Sequence, residues 1–147
     1  MESREGTREG RKCLLGGRPR GWSTRLQMKS SGGVLITDME AFDRLVLNPI
    51  TNIDSIKLVF YTAPWCGPCR MSTPAVEGVV KQYAMTNAVE CFEVVTDDIP
   101  EIPEVAGIES IPTIQLYKKG RVVDVCVGSV AESVLKNVVE STLKREK

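Results

Sequence analysis

A chain of 147 residues is long enough for one domain and too short for two ordinary ones, and an apolar content of 42% supports a packed core. Nineteen basic and nineteen acidic side chains cancel but are unevenly placed: residues 1–33 hold eight Arg or Lys against three Glu, a net of +5, leaving −5 for residues 34–147. There is no histidine, which excludes a His-based triad, a His metal site and a His proton shuttle.

The five cysteines, at 13, 66, 69, 91 and 126, are odd in number and widely spaced. A secreted disulfide scaffold is shorter and denser in Cys, so a reducing compartment is expected. No apolar run reaches the roughly 18 residues of a membrane helix, and the N-terminus lacks the apolar core of a secretory signal. Residues 1–33 are rich in Gly, Arg and Ser without a clear period, and are expected to be a disordered extension. A mitochondrial or plastid presequence is Arg- and Ser-rich too, but Glu2, Glu5 and Glu9 oppose it. A start at Met28 is a further alternative. The Gly/Arg content is too thin to argue for nucleic acid.

The ordered domain is expected over residues 34–147. Val34–Thr37 has the pattern of a strand. Asp38 suits an N-cap, and Phe42, Leu45 and Val46 then share an apolar helix face that Asn48-Pro49 ends. Lys57–Thr62 is a near-continuous run of apolar, β-branched and aromatic residues, as in a central strand buried on both faces. A helix is predicted from about Pro68 to Met85, kinked by Pro74. Cys91–Thr96 is a third strand, followed by a short helix near Ile102–Ala106. Thr113–Tyr117 and Arg121–Val127 are strands joined by Lys118-Lys119-Gly120 in an antiparallel hairpin. A last helix covers about Ala131–Leu143, with Val134, Leu135, Val138, Val139 and Thr142 on one side. The order β-α-β-α-β-α-β-β-α gives an α/β fold: one mixed sheet of five strands, the last two a hairpin, with helices on both faces.

The chemistry lies in Pro64-Trp65-Cys66-Gly67-Pro68-Cys69-Arg70. The thiolate is the nucleophile in disulfide exchange, so thiol pKa governs reactivity. Cys66 follows a buried strand where a helix starts, and the free N–H groups and positive helix end there favour a thiolate. Lowering a thiol pKa from about 8.5 to about 7 raises the ionised share at pH 7 from about 3% to about half, roughly 2 kcal/mol of stabilisation. Cys69 lies one helical turn on, with Cβ atoms about 5–6 Å apart, near disulfide range. Cys66 is therefore expected to attack and Cys69 to resolve. Pro68 suits an early helical position, Gly67 and Pro68 set the poise of the pair, and Trp65 offers an apolar landing surface. A lone C-x-x-C also reads as half a zinc site, here needing Cys91 and Cys126. Those two lack C-x-x-C spacing and fit buried small hydrophobes better. Cys13 is expected to be an incidental thiol. Pro112, before a strand in Ser110-Ile111-Pro112-Thr113, is either an ordinary loop proline or a cis turn.

Taken together, these residues resemble the thioredoxin family over about Val34 to Lys147. Trp65-Cys66-Gly67-Pro68-Cys69 matches its signature, Pro74 falls where the family kinks its second helix, and Ile111-Pro112-Thr113 falls at its cis-proline turn. Lys119-Gly120 and Gly128 fit its last hairpin and following loop. The resemblance implies a thioredoxin fold, a cis Pro112, and an Ile111 backbone that pairs with a bound target strand beside Cys66. One position departs: the family usually carries a buried acid six residues before the first active cysteine, where this chain has Phe60. In the family that acid helps take the proton from the resolving thiol. The facing strand of the family often offers Lys, and the nearest candidate here is Glu93.

The resemblance implies a monomeric protein-disulfide reductase without a bound cofactor or metal, recharged by an NADPH-dependent thioredoxin reductase. Peroxiredoxins, methionine sulfoxide reductases and ribonucleotide reductase are the implied targets, in the cytoplasm, or in a mitochondrion or plastid if residues 1–33 are a presequence. A thioredoxin-type site near about −270 mV, against about −180 mV for an isomerase-type site, favours the reductant by roughly 4 kcal/mol. The alternative is a thioredoxin-fold binding subunit whose redox chemistry is incidental. A secretory oxidase or isomerase is opposed by the absent signal and the Gly67-Pro68 dipeptide.

Overall fold

The computed structural model describes residues 32–145. In chain order they form β1 (Val34–Leu35), α1 (Met39–Phe42) with a π-helical continuation (Asp43–Leu47), β2 (Ile56–Thr62), α2 (Gly67–Gln82), β3 (Val89–Val95), α3 (Glu101–Ala106), β4 (Thr113–Lys118), β5 (Arg121–Val127) and α4 (Glu132–Arg145). The sheet order is β1-β3-β2-β4-β5. β1 and β2 run parallel to β3, while β4 is antiparallel to β2 and β5 to β4. This is the expected five-stranded mixed α/β sheet. Cys13 and most of the N-terminal extension lie outside the described residues.

β2 is central, and all seven of its residues are buried. Its alternating side chains enter two cores, which is why its sequence is continuously apolar instead of alternating. Ile56, Leu58 and Phe60 pack with Ala75, Val76 and Val79 of α2 and Leu135 and Val139 of α4. Val59 and Tyr61 face the other way, against Phe42, Val46, Ile102 and Tyr117. The helices thus cover both faces, α2 with α4 and α1 with α3.

Three local features depart from expectation, the first two with evident physical causes. Asp38 caps α1 by accepting the Ala41 N–H at 2.7 Å. The helix then widens, with the Asn48 N–H reaching the Asp43 carbonyl at 2.7 Å while Asn48 Nδ2 donates to Asp43 Oδ1 at 2.8 Å. The final hairpin turns on two residues instead of the expected three. Lys118 pairs with Arg121, and Lys119 and Gly120 take φ of 53° and 80°, the pair of positive values a type I′ turn needs. Gly120 is also fixed sterically, because a Cβ there would overlap the Leu47 carbonyl. Finally, α2 ends at Gln82, three residues earlier than expected, and β3 begins at Val89, two earlier.

The site falls at one edge of this sheet. Thr62 pairs with Val95, Tyr61 with Thr113, and Thr113 with Val127. The C-terminal ends of β2, β3 and β5 therefore meet the N-terminal end of β4, and their loops converge there.

Candidate active site

Cys66 is the N-cap of α2. Its backbone is extended (φ −87°, ψ 106°) and its Sγ accepts the Cys69 N–H at 3.2 Å. A helix start leaves backbone donors without intrahelical acceptors, and here the sulfur takes one of them. Pro68 sits in the first turn, where its missing N–H costs nothing. Cys66 and Cys69 are joined as a disulfide with a Cα–Cα separation of 5.3 Å. The helix thus brings together the two thiols that the sequence singles out. In this oxidised form both are buried, at 3% and 1% exposure, so position on the helix and not exposure distinguishes them.

The surroundings are exposed and partly apolar. Pro64, Trp65, Gly67 and Pro68 all face solvent beside the disulfide. Trp65 is 68% exposed, yet its Nε1 donates to Asp97 Oδ2 at 2.5 Å, which fixes the ring against the loop after β3. Arg70 Nη2 donates to the Pro64 carbonyl at 3.2 Å. Opposite lies the Ile111–Pro112 peptide, which is cis. The Pro112 carbonyl accepts the Gly128 N–H at 2.8 Å, and Thr113 Oγ1 donates to the Ser110 carbonyl at 2.7 Å. Every residue of the expected site, Trp65, Cys66, Gly67, Pro68, Cys69, Ile111 and Pro112, therefore lies in loops at this one edge or in the first turn of α2.

Several residues that support the site carry no motif signal. Ser72 is fully buried and its Oγ accepts the Val130 N–H at 3.2 Å, tying α2 to the loop after β5. A polar residue three positions after Cys69 on a core-facing stripe was the available clue. Gln115 Oε1 accepts from both Tyr61 and Tyr117 hydroxyls at 2.8 Å each, and its Nε2 donates to the Ala106 carbonyl at 3.2 Å. That buried network anchors the end of α3 to the sheet. Burial raises both tyrosine pKa values and keeps the hydroxyls protonated as donors.

Phe60 is 1% exposed and belongs to the apolar cluster that holds Cys66 and Cys69. Its register partner in β3 is Glu93, itself buried at 4%. Val89 and Cys91 pack into that same cluster, and alternation puts Glu93 on their side of the sheet. A buried carboxyl is thus present on the thiol-bearing face, one strand away from Phe60.

Cys91 and Cys126 lie in β3 and β5, separated in the sheet by β2 and β4. Both are partly exposed and pack at the margin of the core. Burial pushes the Cys91 thiol up to about 12, and burial with the nearby Asp124 charge raises that of Cys126. Both stay protonated near neutrality and are poor nucleophiles.

A strand-to-helix junction carrying a C-x-x-C disulfide, opposite a cis-proline turn in a mixed five-stranded sheet, defines a thiol–disulfide oxidoreductase. Comparison with known proteins agrees. The thioredoxin family's sequence profile matches residues 33–141, and the chain belongs to the thioredoxin family. It is similar to a thioredoxin of Porphyra purpurea, 41% identical over 65% of this chain and 84% of that one. It is also similar to a chloroplastic M-type thioredoxin of Zea mays, 36% identical over 73% of this chain and 60% of that one. The crystal structure of a Malassezia sympodialis thioredoxin superposes with a TM-score of 0.65 at 26% identity, covering 76% of this chain and 90% of that one.

Proposed function

We propose that this protein reduces disulfides in other proteins, with Cys66 attacking and Cys69 resolving. The observation that carries the assignment is the 3.2 Å hydrogen bond from the Cys69 N–H to Cys66 Sγ at the start of α2. A donor and a positive helix end at that sulfur stabilise its thiolate over that of Cys69, which lies inside the first turn. The Cys66 thiolate attacks one sulfur of the target disulfide, and the other target sulfur leaves as a thiolate. Cys69, deprotonated, then attacks Cys66 Sγ and releases the second target thiol. Two electrons pass to the target, and the Cys66–Cys69 disulfide remains. Trp65, Gly67 and Pro68 flank the attack path. Ile111, in the turn that enters β4 beside the end of β2, offers its backbone to the target strand.

An NADPH-dependent thioredoxin reductase would restore the dithiol. Peroxiredoxins, methionine sulfoxide reductases and ribonucleotide reductase are the proposed targets. The test is insulin reduction with NADPH and a thioredoxin reductase. Wild type is expected to be active and Cys66→Ser inactive. An inactive wild type, or an active Cys66→Ser, would refute the proposal and leave a thioredoxin-fold binding subunit. Location is cytoplasmic if the chain keeps residues 1–33. The names of the M-type relatives support a second reading, plastid import with removal of that stretch. N-terminal sequencing of the mature protein separates the two.

A further inference from the structure

Between Lys81 and Lys118 the chain has seven acidic residues and no Lys or Arg. Two are accounted for within the fold: Glu90 pairs with buried Lys57 at 2.6 Å, and Glu93 is buried. The other five, Asp97, Asp98, Glu101, Glu104 and Glu109, are exposed, and none forms an ion pair among the described residues. All five lie on the segment that runs from the end of β3 through α3 to the cis-proline turn. Burial and then the like charge of Asp97 raise the Asp98 carboxyl, as expected where negative charge accumulates.

This segment walls a groove of about 390 Å³ that begins at Trp65 and ends at Ile111, with Pro103 and Ile108 as further apolar lining and Glu109 at its rim. The groove is continuous with the Cys66 site, because Trp65 directly precedes Cys66 and Ile111 forms the cis bond opposite. The cations of the hairpin lie at the other edge of the sheet: Lys118, Lys119 and Arg121 are five or more residues along the strands from Thr113, about 17 Å away. Among the described residues, the basic side chain beside the disulfide is Arg70, on the α2 side. Charge across the site is therefore polarised, negative toward α3.

We propose that this groove docks a cationic stretch of the oxidised target, the residues flanking its attacked cysteine, with an apolar side chain on Ile108 and Lys or Arg facing the five carboxylates. The proposal rests on Cys66 acting as the attacking thiol and narrows the substrate class of that site to disulfides in basic surroundings. Exposed carboxylates act mainly through the summed field at low salt, which raises encounter with a cationic partner and fades as the Debye length shrinks.

The experiment uses the full-length dithiol protein and three synthetic peptide disulfides that differ only in their flanking residues: Lys, Ser or Glu. At low ionic strength kcat/KM for the Lys peptide is expected to exceed that for the Ser peptide by about tenfold, with the Glu peptide slowest. The preference should fall toward one near 0.5 M salt. The combined Glu101→Gln, Glu104→Gln, Glu109→Gln variant should lose it. Because the preference is a ratio within each protein, a partly unfolded variant does not mimic its loss. Equal rates for all three peptides on wild type would overturn the proposal while leaving the reductase reading intact, whether the groove is idle or filled by the chain's own cationic residues 1–33. A preference that survives the triple substitution would also overturn it. Failure to reduce any peptide would overturn both.

Discussion

Replacing Phe60 with Asp restores an acid at the position where the family usually has one, but in a different setting. Phe60 is 1% exposed among apolar side chains, and its cross-strand partner on the same face is Glu93. Loss of the ring costs about 3–5 kcal/mol, as for other buried Phe truncations. The new carboxyl is desolvated and adjoins a second acid, and both effects raise its pKa. An Asp raised about two units above its unfolded value near 3.9 loses about 2.7 kcal/mol of folding free energy once the pH exceeds the folded pKa. The sign follows from proton uptake. Between the two pKa values the folded state holds a proton that the unfolded chain has released, so stability is greatest below about pH 3.9 and falls as pH rises toward 6. The total loss at pH 7, about 6–8 kcal/mol, approaches the whole stability of a small domain. Urea denaturation of F60D and F60N at pH 4 and pH 7 isolates the charge. The Asp variant should lose about 2.2 kcal/mol more than the Asn variant between those pH values, since about 0.5 kcal/mol is already lost at pH 4. Equal pH dependence for the two would refute a desolvated site at Phe60. Where F60D remains folded, its pH–rate profile for disulfide reduction should change, because a proton acceptor now lies in the cluster that holds Cys69. An unchanged profile would argue against proton handling from this position.

Gln115→Leu removes the acceptor shared by the buried Tyr61 and Tyr117 hydroxyls. The expected cost is about 2–5 kcal/mol in urea denaturation, against about 1 kcal/mol for Tyr61→Phe, because two donors are stranded instead of one bond being lost. Similar costs for the two variants would show that the network is not shared. Cys91, held up to about 12, should resist iodoacetamide at pH 8.5 in the native protein and react readily in urea, as followed by peptide mass mapping. Its folded pKa lies above its unfolded value, so its contribution to stability is whole below about pH 8.5 and is lost as pH climbs above it. Fast native alkylation of Cys91 would contradict both statements.

The sequence displayed most of what sets the frame of this site. The unbroken apolar run of β2 announced a strand with a core on each side, and the Gly-Pro spacer marked the start of α2. What it could not display depended on contacts between distant segments. The cis bond at Pro112 was not readable from spacing, since many prolines precede strands in the trans form; it followed from the family resemblance. Burial of Glu93 runs against its residue type, and only pairing of β3 beside β2 places it behind the thiol-bearing helix. The clamp from Ser72 to Val130 joins residues 58 apart in sequence. The acids of α3 and the loops around it were visible in the sequence as net charge. That the segment carrying them walls the groove at Trp65, with Glu109 in its lining, required the fold.

The central claim is that Cys66 makes the first bond to the target, and trapping tests it most directly. Cys69→Ser, mixed with oxidised target proteins, should accumulate mixed disulfides that mass spectrometry maps to Cys66 and that dithiothreitol releases. Cys66→Ser should trap none through Cys69. Adducts forming through Cys69 in Cys66→Ser, or none forming in Cys69→Ser, would contradict the assignment of the two thiols.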